Sequence, residues 1–208
     1  KGPDKDLPGF DFTAFYARGG ILGPLRDKNS LPMLTVQGFG DHQVAMNLAA
    51  GVLAALFKAK MTGEGDHVVV SLFHSAIWDI SLMLQASQYG ADSTQYPMER
   101  WKLGNPLVLC YETADGQWLQ IAMPQYDRHY PILMNAMGYP ELADDARYYP
   151  QKNLIPNREE FSAWITAEFK KKTCDEWCKL LDANDLPYAI AQEWDSLLED
   201  KQAWASDC

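Results

Sequence analysis

The chain has 208 residues, 47% hydrophobic and 22% charged, with a formal net charge of −10. A chain of this size can bury roughly 70% of its unfolded surface without help from a disulfide or metal, and the composition excludes a mainly disordered, collagen-like or coiled-coil state. The excess of 28 acidic over 18 basic residues argues against sequence-independent nucleic-acid binding, which depends on phosphate neutralisation, and no uninterrupted apolar run approaches the ~20 residues of a membrane span.

In chain order, residues 1–9 read as loop, without the basic-then-apolar pattern of a leader. Residues 11–18 form a short aromatic-rich helix stopped by Gly19-Gly20, and residues 23–33 carry the composition of a loop. Gln37-Gly38-Phe39-Gly40-Asp41-His42-Gln43 then opens a run, residues 44–57, that is apolar on nearly every side and so predicts a buried helix. Residues 61–66 are a turn, 67–72 a short β-branched buried strand, and 74–89 a second largely apolar helix. Residues 107–111 and 118–123 flank Ala114-Asp115-Gly116 as a β-hairpin. Helices follow over 126–137, ended by Gly138, over 158–172, and over 174–183, where Thr173 and Glu176 form a capping box. A strand over 186–191 and helical residues 195–205 complete the pattern. A helix as apolar as 44–57 must be covered on most faces, and too little chain is present to cover it. Both ends are therefore expected to be cuts through a longer protein.

The cysteines are Cys110, Cys174, Cys178 and Cys208. Cys174 and Cys178 share a helix face, but their spacing is not CxxC and no His cluster accompanies them, so reduced thiols in a cytoplasmic protein are expected and no metal site. Asp41 is the leading chemical candidate. It sits where an N-cap would sit, its anion favoured by the helix N-terminus, between a glycine that lets a ligand approach and an apolar helix. Pattern alone leaves two readings, a plain cap and a preorganised nucleophile for an acyl carbon. His42 could tune Asp41, contact substrate or simply pack. Gly38-x-Gly40 lacks the third glycine and the preceding strand of a dinucleotide fingerprint. His67 and His74 are expected to be structural or exposed; His129 has no GxSxG serine to serve, which removes a Ser-His-Asp reading. Tyr96, Trp101 and Tyr126 are candidates for an aromatic-accepting pocket.

Four stretches in this order carry a family resemblance: Pro8-Gly9-Phe10-Asp11 with Gly19-Gly20; Gly40-Asp41 opening an alanine-rich helix; Thr62-Gly63-Glu64-Gly65 before Val68-Val69-Val70-Ser71-Leu72; and Thr113-Ala114-Asp115-Gly116-Gln117-Trp118. The chain resembles the class III CoA-transferases of the formyl-CoA and carnitine CoA-transferase type over nearly its whole length. Residues 1–15, Gly40-Asp41-His42-Gln43 and residues 200–205 look most like the branch acting on phenyllactate and other 2-hydroxy acids in amino-acid-fermenting anaerobes.

The resemblance implies an α/β fold, part of a Rossmann-like large domain plus a small α+β domain, in an interlocked homodimer when full length. It implies that residues 1–90 are the C-terminal part of the large CoA-binding domain, 91–104 a linker, 105–190 the small domain, and 191–208 a linker returning towards the large domain. It assigns Asp41 as the covalent nucleophile, passing through an aspartyl anhydride and an aspartyl-CoA thioester. Phe10, Asp11, Gly40, His42 and Gln43 become the substrate- and CoA-binding set. Coenzyme A or acyl-CoA enters as substrate, with no tightly bound cofactor, no metal, and no nucleic-acid or membrane partner. Gly104 and Asn105 fall near a mobile loop of some members, without its long glycine run. The racemase branch pairs the aspartate with a His in a Gly-His-Asp motif; here Phe10 stands between Gly9 and Asp11 and cannot carry a proton, so racemisation would need His42 to substitute. The alternatives are thus a 2-methylacyl-CoA-type racemase and an inactive fragment or interaction domain.

Overall fold

The computed structural model describes residues 2–90 and 96–206, which form two compact units divided between Arg100 and Trp101. Lys1 of the opening motif, residues 91–95 of the expected linker, and Cys208 lie outside the described residues.

The first unit is helical. A π-helix, Asp11–Ala17, starts where the Phe10 N–H donates to Thr13 Oγ1 at 3.1 Å. Gly19 ends it in a position only glycine fits: a Cβ there would lie 2.0 Å from the Phe15 carbonyl oxygen and 2.3 Å from Ala76 Cβ. Phe15, Tyr16 and Ala76 make a small core, ringed by Ile21, Leu22 and Leu72. Helix α1, Phe39–Thr62, closes on Gly63 at φ +75°, whose N–H bonds the Ala59 carbonyl at 2.8 Å. Helices α2, Leu72–Asp79, and α3, Ser81–Gln88, follow.

Three expectations are corrected here. Helix α1 forms, but it is not buried: among the described residues only its Gly40 is, while Met46, Leu53, Leu56, Phe57 and Met61 are exposed. Residues 67–71 make no strand, because no neighbouring strand among the described residues offers them a ladder, and Leu72 already opens α2. The single helix expected over 74–89 is two, parted at Ile80. Helix α1 also proves long and apolar enough, by length and composition, to cross a membrane. Reading uninterrupted apolar runs missed this because Asn47, Gly51 and Lys58 break the run without breaking the helix. Its close approaches are nonetheless to protein: Gly51 lies against Val68, where a Cβ would come within 2.6 Å, and Asn47 donates to Ser75 Oγ at 2.8 Å.

The second unit packs helices on a three-stranded antiparallel sheet, β1 Cys110–Glu112, β2 Trp118–Ile121 and β3 Tyr188–Ile190, in that spatial order. Tyr111 pairs with Leu119, and Leu119 with Ile190. Helices α4 (Tyr126–Met137), α5 (Gln151–Leu154), α6 (Arg158–Phe169) and α7 (Cys174–Asp182) supply the core. Helical spacing explains which residues enter it: Tyr126, Tyr130, Leu133 and Met134 from α4, Phe161, Ile165 and Phe169 from α6, and Cys174, Trp177 and Leu181 from α7. Tyr111, Phe169 and Trp177 stack with ring centroids 4.6 and 4.4 Å apart. The capping box forms, Thr173 N–H donating to Glu176 at 2.8 Å, and Gly138 ends α4 at φ +89°. The helical tail is two pieces, α8 Trp194–Leu198 and α9 Lys201–Ala205, because Asp200 caps the second.

The hairpin motif around Asp115 is an anchor. Its carboxylate receives the Thr113 hydroxyl, the Gln117 amide at 3.0 Å and the Cys174 N–H at 3.1 Å, tying the β1–β2 turn to the start of α7.

Candidate active site

Asp41 stands in the first turn of α1, not at its cap. The N-cap is Gly38, at φ +83°, a left-handed conformation that glycine adopts without strain. Gly38 has no side chain with which to satisfy the orphan N–H groups of the helix start. That task falls to Asp11, on the π-helix. Its Oδ2 accepts the Gly38 N–H at 2.8 Å and its Oδ1 the Gly40 N–H at 3.0 Å. Asp11 is 6% exposed, so its charge is held by two charge-assisted bonds and by the positive end of α1. Gly40 is as constrained as Gly19: a Cβ would fall 2.3 Å from Phe15 Cγ and 2.4 Å from Asp11 Oδ1.

The result is a turn fixed from behind with a carboxylate in front. Asp41 is exposed, and among the described residues nothing donates to its carboxylate. A carboxylate nucleophile needs no partner side chain to take a proton from it as it attacks.

The other expected site residues divide. Phe10 is beside the turn through Asp11, and the residue is 66% exposed. His42 is exposed; its N–H makes the first helical bond, to the Gly38 carbonyl at 2.9 Å. Adjacent helix residues do not face one another, so His42 is ill placed to tune Asp41. Gln43 donates to Asp79 Oδ1 at 3.3 Å and so ties α1 to α2. Burial raises the Asp79 carboxyl, and the Gln43 bond partly offsets this. A groove of about 210 Å³ lined by Asn47, Val70, Ser75 and Trp78 does not include Asp41.

Several lesser candidates prove structural. Tyr126 is core, stacked on Tyr130 at 4.9 Å with its hydroxyl on the Tyr148 carbonyl, and burial pushes its phenol far above the ordinary range. This removes it from any aromatic-accepting pocket. The Gly104 carbonyl accepts from Gln151 Nε2 at 3.0 Å, and the Asn105 side chain accepts from Leu107 N–H at 2.9 Å, a local cap of the turn that follows. His129 bonds the Gln125 carbonyl through Nδ1 at 3.0 Å. No cluster of His, Cys, Asp and Glu suited to a metal ion occurs among the described residues.

Sequence pattern named Asp11 but missed its role. Its partners lie 27 and 29 residues away, and no local pattern reports that pairing.

The family model for CoA-transferase family III matches residues 1–208. The chain belongs to this family. Among curated members, it is 48% identical over 208 residues to cinnamoyl-CoA:phenyllactate CoA-transferase of Clostridium sporogenes, covering 100% of this chain and 50% of that protein. It is 40% identical over 207 residues to (R)-2-hydroxy-4-methylpentanoate CoA-transferase of Clostridioides difficile, covering 100% of this chain and 51% of that one. The crystal structure of the Mycobacterium tuberculosis protein Rv3272 superposes with a TM-score of 0.81 at 25% identity, over 100% of this chain and 54% of that one. The chain thus spans about half the length of the relatives it matches, and the α/β class III fold is shared with them.

Proposed function

We propose that this family III member forms part of an enzyme moving CoA between a 2-enoyl- or 2-hydroxyacyl-CoA and a 2-hydroxy carboxylate, with Asp41 as the covalent nucleophile. The observation that carries this reading is the exposed Asp41 carboxylate on a backbone turn held rigid by Asp11. The substrate class rests on the activities of the phenyllactate and (R)-2-hydroxy-4-methylpentanoate CoA-transferases it is similar to.

In this reading the Asp41 carboxylate attacks the thioester carbonyl of the donor. A C–O bond forms, the C–S bond breaks, and CoA leaves as thiolate from an aspartyl acyl anhydride. The thiolate attacks the aspartyl carbonyl, releasing the donor acid and leaving an aspartyl-CoA thioester. The acceptor carboxylate displaces CoA to make a second anhydride. Finally the thiolate takes the acceptor acyl group and frees Asp41. No proton is gained or lost overall and nothing is oxidised, so no separate acid or base is required, but water must be kept out.

Exclusion of water needs more cover than this unit supplies, and so do Met46, Leu53 and Phe57 of α1. We assign that cover to the interlocked homodimer of a longer, cytoplasmic protein. Racemisation would need two proton carriers on opposite faces, and Phe10 at the position where racemases place His is not one. The test is to incubate the protein with acyl-CoA and trap the intermediate with hydroxylamine or borohydride. The adduct is expected on Asp41, and Asp41→Ala is expected to abolish exchange. Exchange at the parent rate in Asp41→Ala would sink the assignment.

A further inference from the structure

We propose that Asp11 is a positioning residue for Asp41 and not a ligand of the substrate, an inference that rests on the transferase reading above. The ground is geometric. Both oxygens of the Asp11 carboxylate are committed to backbone N–H groups, Gly38 at 2.8 Å and Gly40 at 3.0 Å, on either side of the peptide that opens α1. The side chain is nearly fully buried, so it has neither a lone face nor an open path to a substrate. Gly40 packs so tightly on Asp11 and Phe15 that the turn cannot shift toward the π-helix to make up a lost bond. The N-cap itself, Gly38, contributes no side chain and sits in a left-handed conformation that leaves its N–H dependent on an outside acceptor.

The consequence reaches Asp41 directly. Asp41 is bonded to Gly40, and nothing among the described residues fixes its carboxylate. The backbone of this turn, which Asp11 holds, therefore sets where the Asp41 side chain leaves the helix. The same two bonds occupy two of the N–H groups at the helix start, so these two are not available to a CoA phosphate.

Asp11→Asn tests this, because it keeps the shape while turning one acceptor into an amide NH₂ that faces an N–H donor. The readouts, made on the active protein, are kcat and KM for acyl-CoA, the yield of Asp41 hydroxamate trapped with hydroxylamine, and the melting temperature. A misplacement of the reacting group costs on the order of 100-fold in rate, so kcat and adduct yield are expected to fall by about that factor, with KM unchanged within about twofold. Asp11→Glu, with the same charge and two acceptors, is expected to recover part of kcat. A rise in KM with kcat unchanged would make Asp11 a substrate ligand and overturn the proposal. A lower melting temperature with kcat intact would make it structural only, and overturn it equally. Transfer by the wild type that survives Asp41→Ala would instead overturn the nucleophile reading. Transfer lost in Asp41→Ala but kept at the parental kcat in Asp11→Asn defeats the positioning role alone.

Discussion

The carboxylate of Asp11 accepts the backbone N–H of Gly40 at 3.0 Å, across 29 residues of sequence, and so joins the π-helix to the turn that presents Asp41. Gly40 is held at that distance by its lack of a side chain. Gly40→Ala would drive a methyl group to 2.3 Å from Phe15 Cγ, a buried ring atom, and 2.4 Å from Asp11 Oδ1, which already accepts the Gly40 N–H. Overpacking of this kind costs about 1–3 kcal/mol. A lowered melting temperature together with lost CoA transfer is expected; calorimetry and an exchange assay with the same preparation check it.

How far the sequence carried this picture depends on the range of the interactions. Elements defined by neighbours were legible: Gly138 ends α4, Thr173 and Glu176 box the start of α7, and Asp115-Gly116 turns the hairpin. Elements defined by distant partners were not. Asp41 looked like a cap because a carboxylate precedes an apolar run, whereas the true acceptor for that helix start is Asp11. Residues 67–72 have strand composition without a neighbouring strand among the described residues, and composition does not supply a ladder. Glycine is costly in a helix interior, and Gly51 of α1 is explained by Val68, whose Cγ1 lies 2.6 Å from where a Cβ would be. Asp41 itself was legible as a candidate, beside the plain-cap reading, because a carboxylate follows Gly40 at the start of a strongly apolar helix.

Trp177 is the keystone of the second unit. It is fully buried, stacks on Phe169 at 4.4 Å and donates its indole N–H to the Phe169 carbonyl at 2.8 Å. Truncation of a buried aromatic of this size costs about 3–5 kcal/mol. Trp177→Ala is therefore expected to lose the cooperative unfolding transition of this unit or shift it strongly to lower denaturant. Trp177→Phe, which keeps the stacking and loses the bond, should fall between. Chemical denaturation followed by circular dichroism measures both.

Asp115 makes stability depend on pH with a defined sign. The Thr113 hydroxyl, and after it the Cys174 N–H and the Gln117 amide, hold its carboxyl below the usual range in the folded state. The unfolded chain takes up that proton near pH ~3.9, before the folded one does. The contribution is thus present above about pH 3.9 and is lost as pH falls through the lower folded value. Asp115→Asn should melt below the wild type at pH 7, and the gap should close below about pH 3.9. A gap that stays constant to pH 2 would show that the turn does not depend on the charge.

The two thiols of α7 should differ in reactivity. Burial, with Cys178 adding to it, pushes the Cys174 thiol up to about 11, whereas Cys178 is partly exposed on the same helix. Nucleophilic attack needs the thiolate. Iodoacetamide at pH 8 is expected to label Cys178 and spare Cys174 until the protein is unfolded, and peptide mass spectrometry reads the difference. Equal labelling of the native protein would contradict the burial of Cys174.

Phe10 separates the transferase reading from the racemase one. The residue is 66% exposed, and its backbone N–H bonds Thr13 Oγ1 at 3.1 Å. Substitution by His therefore removes no buried contact, and stability should change by no more than about 0.5 kcal/mol. Chemically the change is large, because an imidazole can accept and return a proton near neutral pH. Beside a turn that already presents the Asp41 carboxylate, Phe10→His supplies the second acid–base group that inversion at C2 requires. Solvent deuterium is expected at C2 of a bound acyl-CoA in Phe10→His and not in the wild type, as read by mass spectrometry of the recovered thioester. Label in the wild type at a comparable rate would mean that proton abstraction does not need a residue at this position.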